Sequence, residues 1–202
     1  MSIYQKKLTP LSSIKPGRNP PDEINIVIEI PKGSNIKYEI DDESGGLFVD
    51  RKLFTGMFYP GNYGFIPQTE ERDRDPVDVL VLGNDPVIPM SVISAHPVGA
   101  LITEDENGCD PKIIAVPLAK IDPSFSTITE INKIPEYIRS QIKHFFEHYK
   151  ELEKGKYVKI VSWENKEVAR KIIMKAIERH RNSRQQTNRH TDKNKKIRYK
   201  HK

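Results

Sequence analysis

Ile24-Asn25-Ile26-Val27-Ile28-Glu29-Ile30 opens the regular part of this 202-residue chain. Isoleucine recurs at every second position, the period of a strand with one buried face, and Asn25, Val27 and Glu29 point the other way. Ile36-Lys37-Tyr38-Glu39-Ile40 alternates again, which puts Lys37 and Glu39 on one face. Leu47-Phe48-Val49-Asp50-Arg51 is a third strand, entered from the Gly45-Gly46 turn. In residues 55–67 the prolines at 60 and 67 forbid a continuous helix, so this Gly- and aromatic-rich stretch is an ordered loop or short strand. Val77–Leu82 reads as a strand in which Asp78 shares a face with Leu80 and Leu82. Val98–Thr103 and Lys112–Val116 form a hairpin around a polar turn, and Lys156–Trp163 is a further strand. Helices come late. Pro135 suits a first helical position, and Ile138, Ile142, Phe145, Tyr149 and Leu152 make one apolar stripe that Gly155 ends. Asn165 can cap a second helix carrying Val168, Ile172, Ile173, Ala176 and Ile177. Many short strands followed by two helices predict a mainly β fold, a small closed β-barrel with two C-terminal helices packed outside.

Hydrophobic content of 36% and charged content of 30% suit a globular core, and no apolar stretch approaches a membrane span. The start of the chain lacks the apolar core of a signal peptide, and one cysteine, Cys109, excludes an intramolecular disulfide framework. Both features point to a reducing cytoplasm. The net charge of +5 is uneven: residues 181–202 hold nine Lys or Arg and one Asp, which leaves the rest at −3. The chain therefore divides into an irregular N-terminal segment (1–22), a mildly acidic domain (23–180) and a basic tail (181–202) read as solvated and disordered.

The richest chemistry lies in Asp73-Arg74-Asp75-Pro76-Val77-Asp78. Three ionised carboxylates within six residues repel one another and call for a counter-charge. Oxygen-only ligands select a hard cation, Mg²⁺ or Mn²⁺ rather than Zn²⁺. A solvated acidic turn has the same local pattern. A calcium EF-hand does not fit, because counting from Asp73 the sixth position is Asp78 where Gly is needed and the twelfth is Asn84 where Glu is needed. A second acidic turn, Asp105-Glu106-x-x-x-Asp110, sits at the hairpin tip and can close such a site from the opposite side. Lys37, Arg51, Tyr59, Tyr63, Lys112, Tyr149 and Lys150 are candidate phosphate donors, although any one of these lysines alone reads equally as surface charge. His144-Phe145-Phe146-Glu147-His148 spells the zinc-protease pattern H-x-x-E-H, but both histidines flank the apolar stripe, which favours packing or subunit contact over zinc.

Several of these stretches occur together and in order: Glu29-Ile30-Pro31, Ile36–Asp41, Phe48–Arg51, Tyr59-Pro60-x-Asn62-Tyr63-Gly64, Asp75–Leu80, His144–Lys150 and Leu152–Lys156. Jointly they resemble soluble family I inorganic pyrophosphatase, the bacterial form most closely, from about Ile24 to about Glu178. The resemblance implies a five-stranded, OB-like closed barrel and hydrolysis of pyrophosphate to two phosphates by a water activated by several Mg²⁺ ions, with Mn²⁺ as a substitute. It assigns Asp73, Asp78 and Asp110 to the first metal, with Asp78 bridging to the second. Asp105 with Asp110 would hold a metal arriving with substrate, Glu39 would help bind another, and Glu29 would support the acidic cavity. Asp75 would take the proton of the attacking water, with Tyr63 also at the reacting centre. Lys37, Arg51, Tyr63, Lys112, Tyr149 and Lys150 would grip the phosphates. It also implies a homohexamer, with the helix bearing His144 and His148 at a subunit contact.

Three positions depart from that pattern. Arg74 stands where the family usually has a small or acidic residue, and a long cation there is expected either to compete for Asp73, loosening metal binding, or to reach the phosphate. Gly61 stands where many bacterial relatives have Cys, a difference expected to matter little. The basic tail is additional, and it is the only part suited to nucleic acid. A small barrel that binds single strands would need a basic, aromatic face, whereas the conspicuous cluster here is acidic.

Overall fold

The computed structural model describes residues 11–41 and 44–198, with side chains as far as 186. Eight strands and two α-helices follow in order: β1 (Ile24–Ile30), β2 (Ile36–Ile40), β3 (Leu47–Lys52), β4 (Asn62–Phe65), β5 (Asp78–Val81), β6 (Val92–Asp105), β7 (Gly108–Pro117), α1 (Glu136–His148), β8 (Val158–Asn165) and α2 (Lys166–Arg198). Five strands close a ring in the order β1-β4-β5-β7-β6 and back to β1. This is the small closed barrel that the strand pattern predicts, with the five strands and OB-like form that the resemblance implies. All pairings are antiparallel except β5 with β7. The long strand β6 gives its first part to β1, pairing Ile24 with Ala95, and its later part to β8, pairing Gly99 with Asn165. β2 and β3 form a separate hairpin.

The ring is buried on both faces, and residue parity decides which core each side chain joins. In β5, Val79 and Val81 join the cluster that includes Ala169, Ile173, Ala176 and Ile177 of α2. Leu80 and Leu82 join the cluster that includes Ile142, Phe145 and Phe146 of α1. β7 divides the same way, Ile113 and Ala115 to the first, Ile114 and Val116 to the second. β1 departs from the single buried face read in its alternation, because Val27 is fully buried as well. A register shift between Ile28 and Ile30 also moves Ile30 into the α1 cluster. Close packing explains Gly64: a Cβ there would lie 1.9 Å from the Val27 carbonyl oxygen. A side chain at Gly61 would come within 2.8 Å of the Val81 carbonyl oxygen, so this position is tighter than the expected indifference to Cys allows.

Several boundaries differ from the sequence reading, among them β7, which begins at Gly108 rather than Lys112. β6 begins six residues before Val98, since the shift between Pro97 and Gly99 lets the strand continue past a proline that cannot donate to the ladder. α1 stops at His148 rather than running to Leu152, and short turns of i to i−3 hydrogen bonds, such as Glu153 N to Lys150 O at 3.0 Å, carry the chain to Gly155 at φ +78°. Asn165 caps α2 as expected, accepting from Val168 N at 3.1 Å. The helix then continues to Arg198, past the 180/181 boundary and into the segment read as a disordered tail. No Gly or Pro interrupts 166–198, so nothing in the backbone chemistry stops it. No helix among the described residues is long and apolar enough to cross a membrane.

Candidate active site

Parity also locates the chemistry. Asp78 lies two residues before Leu80, and Lys112 two before Ile114, and β5 pairs with β7 so that Leu80 faces Ile114. Tyr63 of β4 pairs with Leu80. These side chains therefore continue the α1 side of the ring past its apolar part. There a cavity of about 680 Å³ opens.

Glu29, Lys37, Glu39, Arg51, Tyr63, Asp73, Asp75, Asp78, Asp105, Asp110, Lys112, Tyr149 and Lys150 all line it, from the seven strands β1 to β7, the loop before β5 and the turn after α1. Tyr59, Glu71, Arg72, Glu106, Cys109 and Lys156 line it too. Arg74 is not among the lining residues. Its side chain is exposed, so the structure gives no support to a cation standing between two ligands. What is unusual there is the backbone, with φ at +82°. That bend lets Asp75 N donate to Asp73 Oδ1 at 3.1 Å, while Glu71 N donates to Asp75 O at 2.7 Å. The small residues expected at this position suit a left-handed bend. His144 and His148 lie outside the cavity, their rings 4.5 Å apart, and His148 Nδ1 pairs with Glu151 at 2.7 Å.

Five of the six lining cations, Lys37, Arg51, Lys112, Lys150 and Lys156, are hydrogen-bonded to lining or adjacent carboxylates. Lys112 Nζ donates to Asp110 at 2.5 Å and to Asp78. Lys150 Nζ donates to Asp105 at 2.9 Å and Glu106 at 3.2 Å. Lys37 pairs with Glu39 and, at 3.5 Å, with Asp50. Arg51 pairs with Asp50 and donates from Nε to Glu153 at 2.9 Å. Glu29 accepts from Ile40 N at 3.0 Å, which ties the β2–β3 hairpin to β1. Asp50 and Glu153, which hold Arg51, were missed in the sequence because each reads as an ordinary surface charge.

Nine carboxylates line the cavity against six Lys or Arg, an excess of three negative charges. Its effect is visible in proton affinities. Burial pushes Glu29 up to about 7, against the Ile40 hydrogen bond and with help from Asp78. Asp75 is raised by partial desolvation, then by Asp73 and Asp78. Asp110 is raised by burial, with Lys112 opposing. Burial alone would lower Lys112, but Asp78 and Asp110 hold it above its usual value and it stays charged. The buried Tyr63 phenol is pushed well above 10 and Tyr149 to about 12, so both remain proton donors. Among the described residues no three Asp, Glu, His or Cys converge closely enough to grip one ion as the side chains stand. Where Asp78 and Asp110 meet, they meet on the Lys112 ammonium. The donor chemistry nevertheless fits a hard divalent cation: carboxylate oxygens only, in excess of their counter-charges.

The chain is similar throughout this region to known proteins. The family described as inorganic pyrophosphatase matches residues 26–181. An inorganic pyrophosphatase of Aquifex pyrophilus is 55% identical over 168 residues, 83% of this chain and 95% of that protein. One from Saccharolobus solfataricus is 58% identical over 164 residues, 81% of this chain and 95% of that protein. The crystal structure of inorganic pyrophosphatase from Thermus thermophilus matches with a TM-score of 0.82 at 41% identity, covering 86% of this chain and 99% of that one.

Proposed function

The chain belongs to the inorganic pyrophosphatase family, and from that premise we propose that it hydrolyses inorganic pyrophosphate to two phosphates by direct attack of a metal-activated water. The observation that carries the reading is the single cavity lined by nine carboxylates and six cations. Such a cavity repels a dense phosphate anion by itself and becomes attractive only when divalent cations offset the carboxylates.

Asp73, Asp78 and Asp110 would hold the first Mg²⁺, Asp105 with Asp110 another, and Glu39 and Glu29 would complete the acidic wall. Bound there, Mg²⁺ (or Mn²⁺) lowers the pKa of the attacking water and neutralises charge on the transferring phosphoryl group. Asp75, raised yet reaching solvent, accepts the water proton as its oxygen bonds to phosphorus. The bridging P–O bond breaks and its electron pair leaves with the second phosphate. Lys37, Arg51, Lys112 and Lys150 turn from their carboxylate partners to the phosphate oxygens, the guanidinium by its planar fork. Tyr63 and Tyr149 stay protonated at any physiological pH and donate neutral hydrogen bonds. Neither a serine nor the cysteine is needed as nucleophile.

The enzyme is read as a cytoplasmic homohexamer of phosphate metabolism. Light scattering on the purified chain gives the oligomer directly. The deciding assay is phosphate release from pyrophosphate with Mg²⁺, with and without chelator. Turnover that is lost on chelation and restored by Mg²⁺ is expected, and unchanged turnover in chelator would sink the metal mechanism.

A further inference from the structure

Residues 70–76, which carry Asp73 and Asp75, lie outside every strand of the ring. Their anchor is α2. Glu70 N donates to Ala176 O at 3.1 Å. Arg179 Nη1 donates to Glu70 O at 2.8 Å and to Glu71 Oε2 at 3.0 Å. Ser183 Oγ donates to Glu70 Oε1 at 2.9 Å. Residues 176, 179 and 183 stand at three- and four-residue spacing and so share one helix face. On the loop's other side, Glu71 N closes on Asp75 O, and Arg74 N donates to Glu71 O at 3.3 Å. Glu71 also lines the cavity, and its Oε1 is buried with no hydrogen-bond partner. A carboxylate so placed is held by Arg179 on one oxygen and faces the cavity side of the loop on the strength of that single grip.

We propose that Arg179 is a positioning residue for the reaction: by fixing Glu70 and Glu71 it sets where the Asp73–Asp75 turn sits over the cavity. The proposal rests on the reading that these aspartates serve the activating metals. Arg179 touches neither substrate nor metal ligand, and acts through Glu71. The family match ends at residue 181, so the Ser183 contact adds a bond from outside the matched segment to the same loop. Both bonds leave one nitrogen, Nη1, so Arg179 ties the Glu70 carbonyl and the Glu71 carboxylate together at a single point.

The test uses the full-length chain stripped with chelator, then titrated with Mg²⁺ by calorimetry, alongside steady-state hydrolysis. Groups that orient metal ligands typically contribute 10- to 100-fold to metal affinity, so Arg179→Met is expected to weaken Mg²⁺ binding about tenfold. Its kcat at saturating Mg²⁺ should return to the wild-type value. Arg179→Lys, which keeps the charge, should recover part of the affinity. Glu71→Gln should lower affinity alone and add little in the Arg179→Met background, since both cut the same link. A lower melting temperature with wild-type Mg²⁺ affinity in both Arg179 variants would overturn the proposal, as would fully additive losses in the double variant. If the wild-type chain binds Mg²⁺ but releases no phosphate from pyrophosphate, the proposed function fails while the titrations still decide the role of Arg179.

Discussion

Glu29 offers a prediction whose size follows from its surroundings. Burial holds its carboxyl protonated up to about 7, against 4.5 for an ordinary glutamate. Below 4.5 both folded and unfolded chains carry the proton and nothing is at stake. Between 4.5 and 7 the unfolded chain has released it while the folded chain retains it, so stability falls as pH rises. Above 7 the folded chain carries an ionised, poorly solvated carboxylate. Each pH unit of that displacement is worth about 1.4 kcal/mol, so the full penalty is about 3 kcal/mol. Glu29→Gln removes the titration and keeps an oxygen to accept from Ile40 N, now bonded at 3.0 Å. In chelator, urea unfolding should show the variant more stable than wild type by about 1 kcal/mol at pH 5, rising to about 3 kcal/mol at pH 9. Chelator is needed because a bound cation would supply the counter-charge that the titration reports as missing. A difference that stays flat with pH, or that favours wild type at pH 9, would refute the assignment of burial as the dominant cause.

Three further outcomes are expected. Asp75→Asn should lower kcat by about 10²- to 10⁴-fold, the usual worth of a positioned base, with KM for pyrophosphate little changed, and wild-type turnover would remove Asp75 from that role. Asp78→Ala should raise the Mg²⁺ concentration for half-activation more than alanine at any other lining carboxylate, and an unaltered Mg²⁺ dependence would count against a bridging ligand. Arg74→Gly relieves a left-handed backbone costing roughly 1–2 kcal/mol, less about 0.5–1 kcal/mol for glycine's extra freedom when unfolded. It should therefore raise the melting temperature by about 2 °C, and a lower melting temperature would show that the Arg74 side chain holds the turn.

The parts of the fold that were legible in the sequence are those written in local period. The isoleucine alternation of β1, the stripe of α1 and the Asn165 cap all carry their reasons within a few residues. The parts that escaped depend on neighbours far along the chain. Pro97 reads as a strand breaker until Gly99 and its register shift are seen beside β7. Val27 reads as exposed because nothing local tells that β1 is covered on both faces. The site residues could be named from motifs, but their mutual placement could not. Lys112 meeting Asp78 spans 34 positions, Arg51 meeting Glu153 spans 102, and Arg179 meeting Glu71 spans 108. Arg74 is the instructive case. Its charge drew the sequence reading toward electrostatics, whereas the structure makes its φ angle the relevant property.

The division of β5 and β7 between two cores constrains how the gene can change. Even-numbered positions hold Asp78, Asp110 and Lys112 in line with Leu80 and Ile114, while odd-numbered Val79 and Ile113 face α2. Inserting or deleting one residue within either strand would exchange the two sets, sending a charge into the α2 packing and a valine or isoleucine into the cavity. These strands can therefore vary by substitution but not in length. Length change is confined to connections such as the 118–134 segment between β7 and α1, which contributes no lining residue to the cavity.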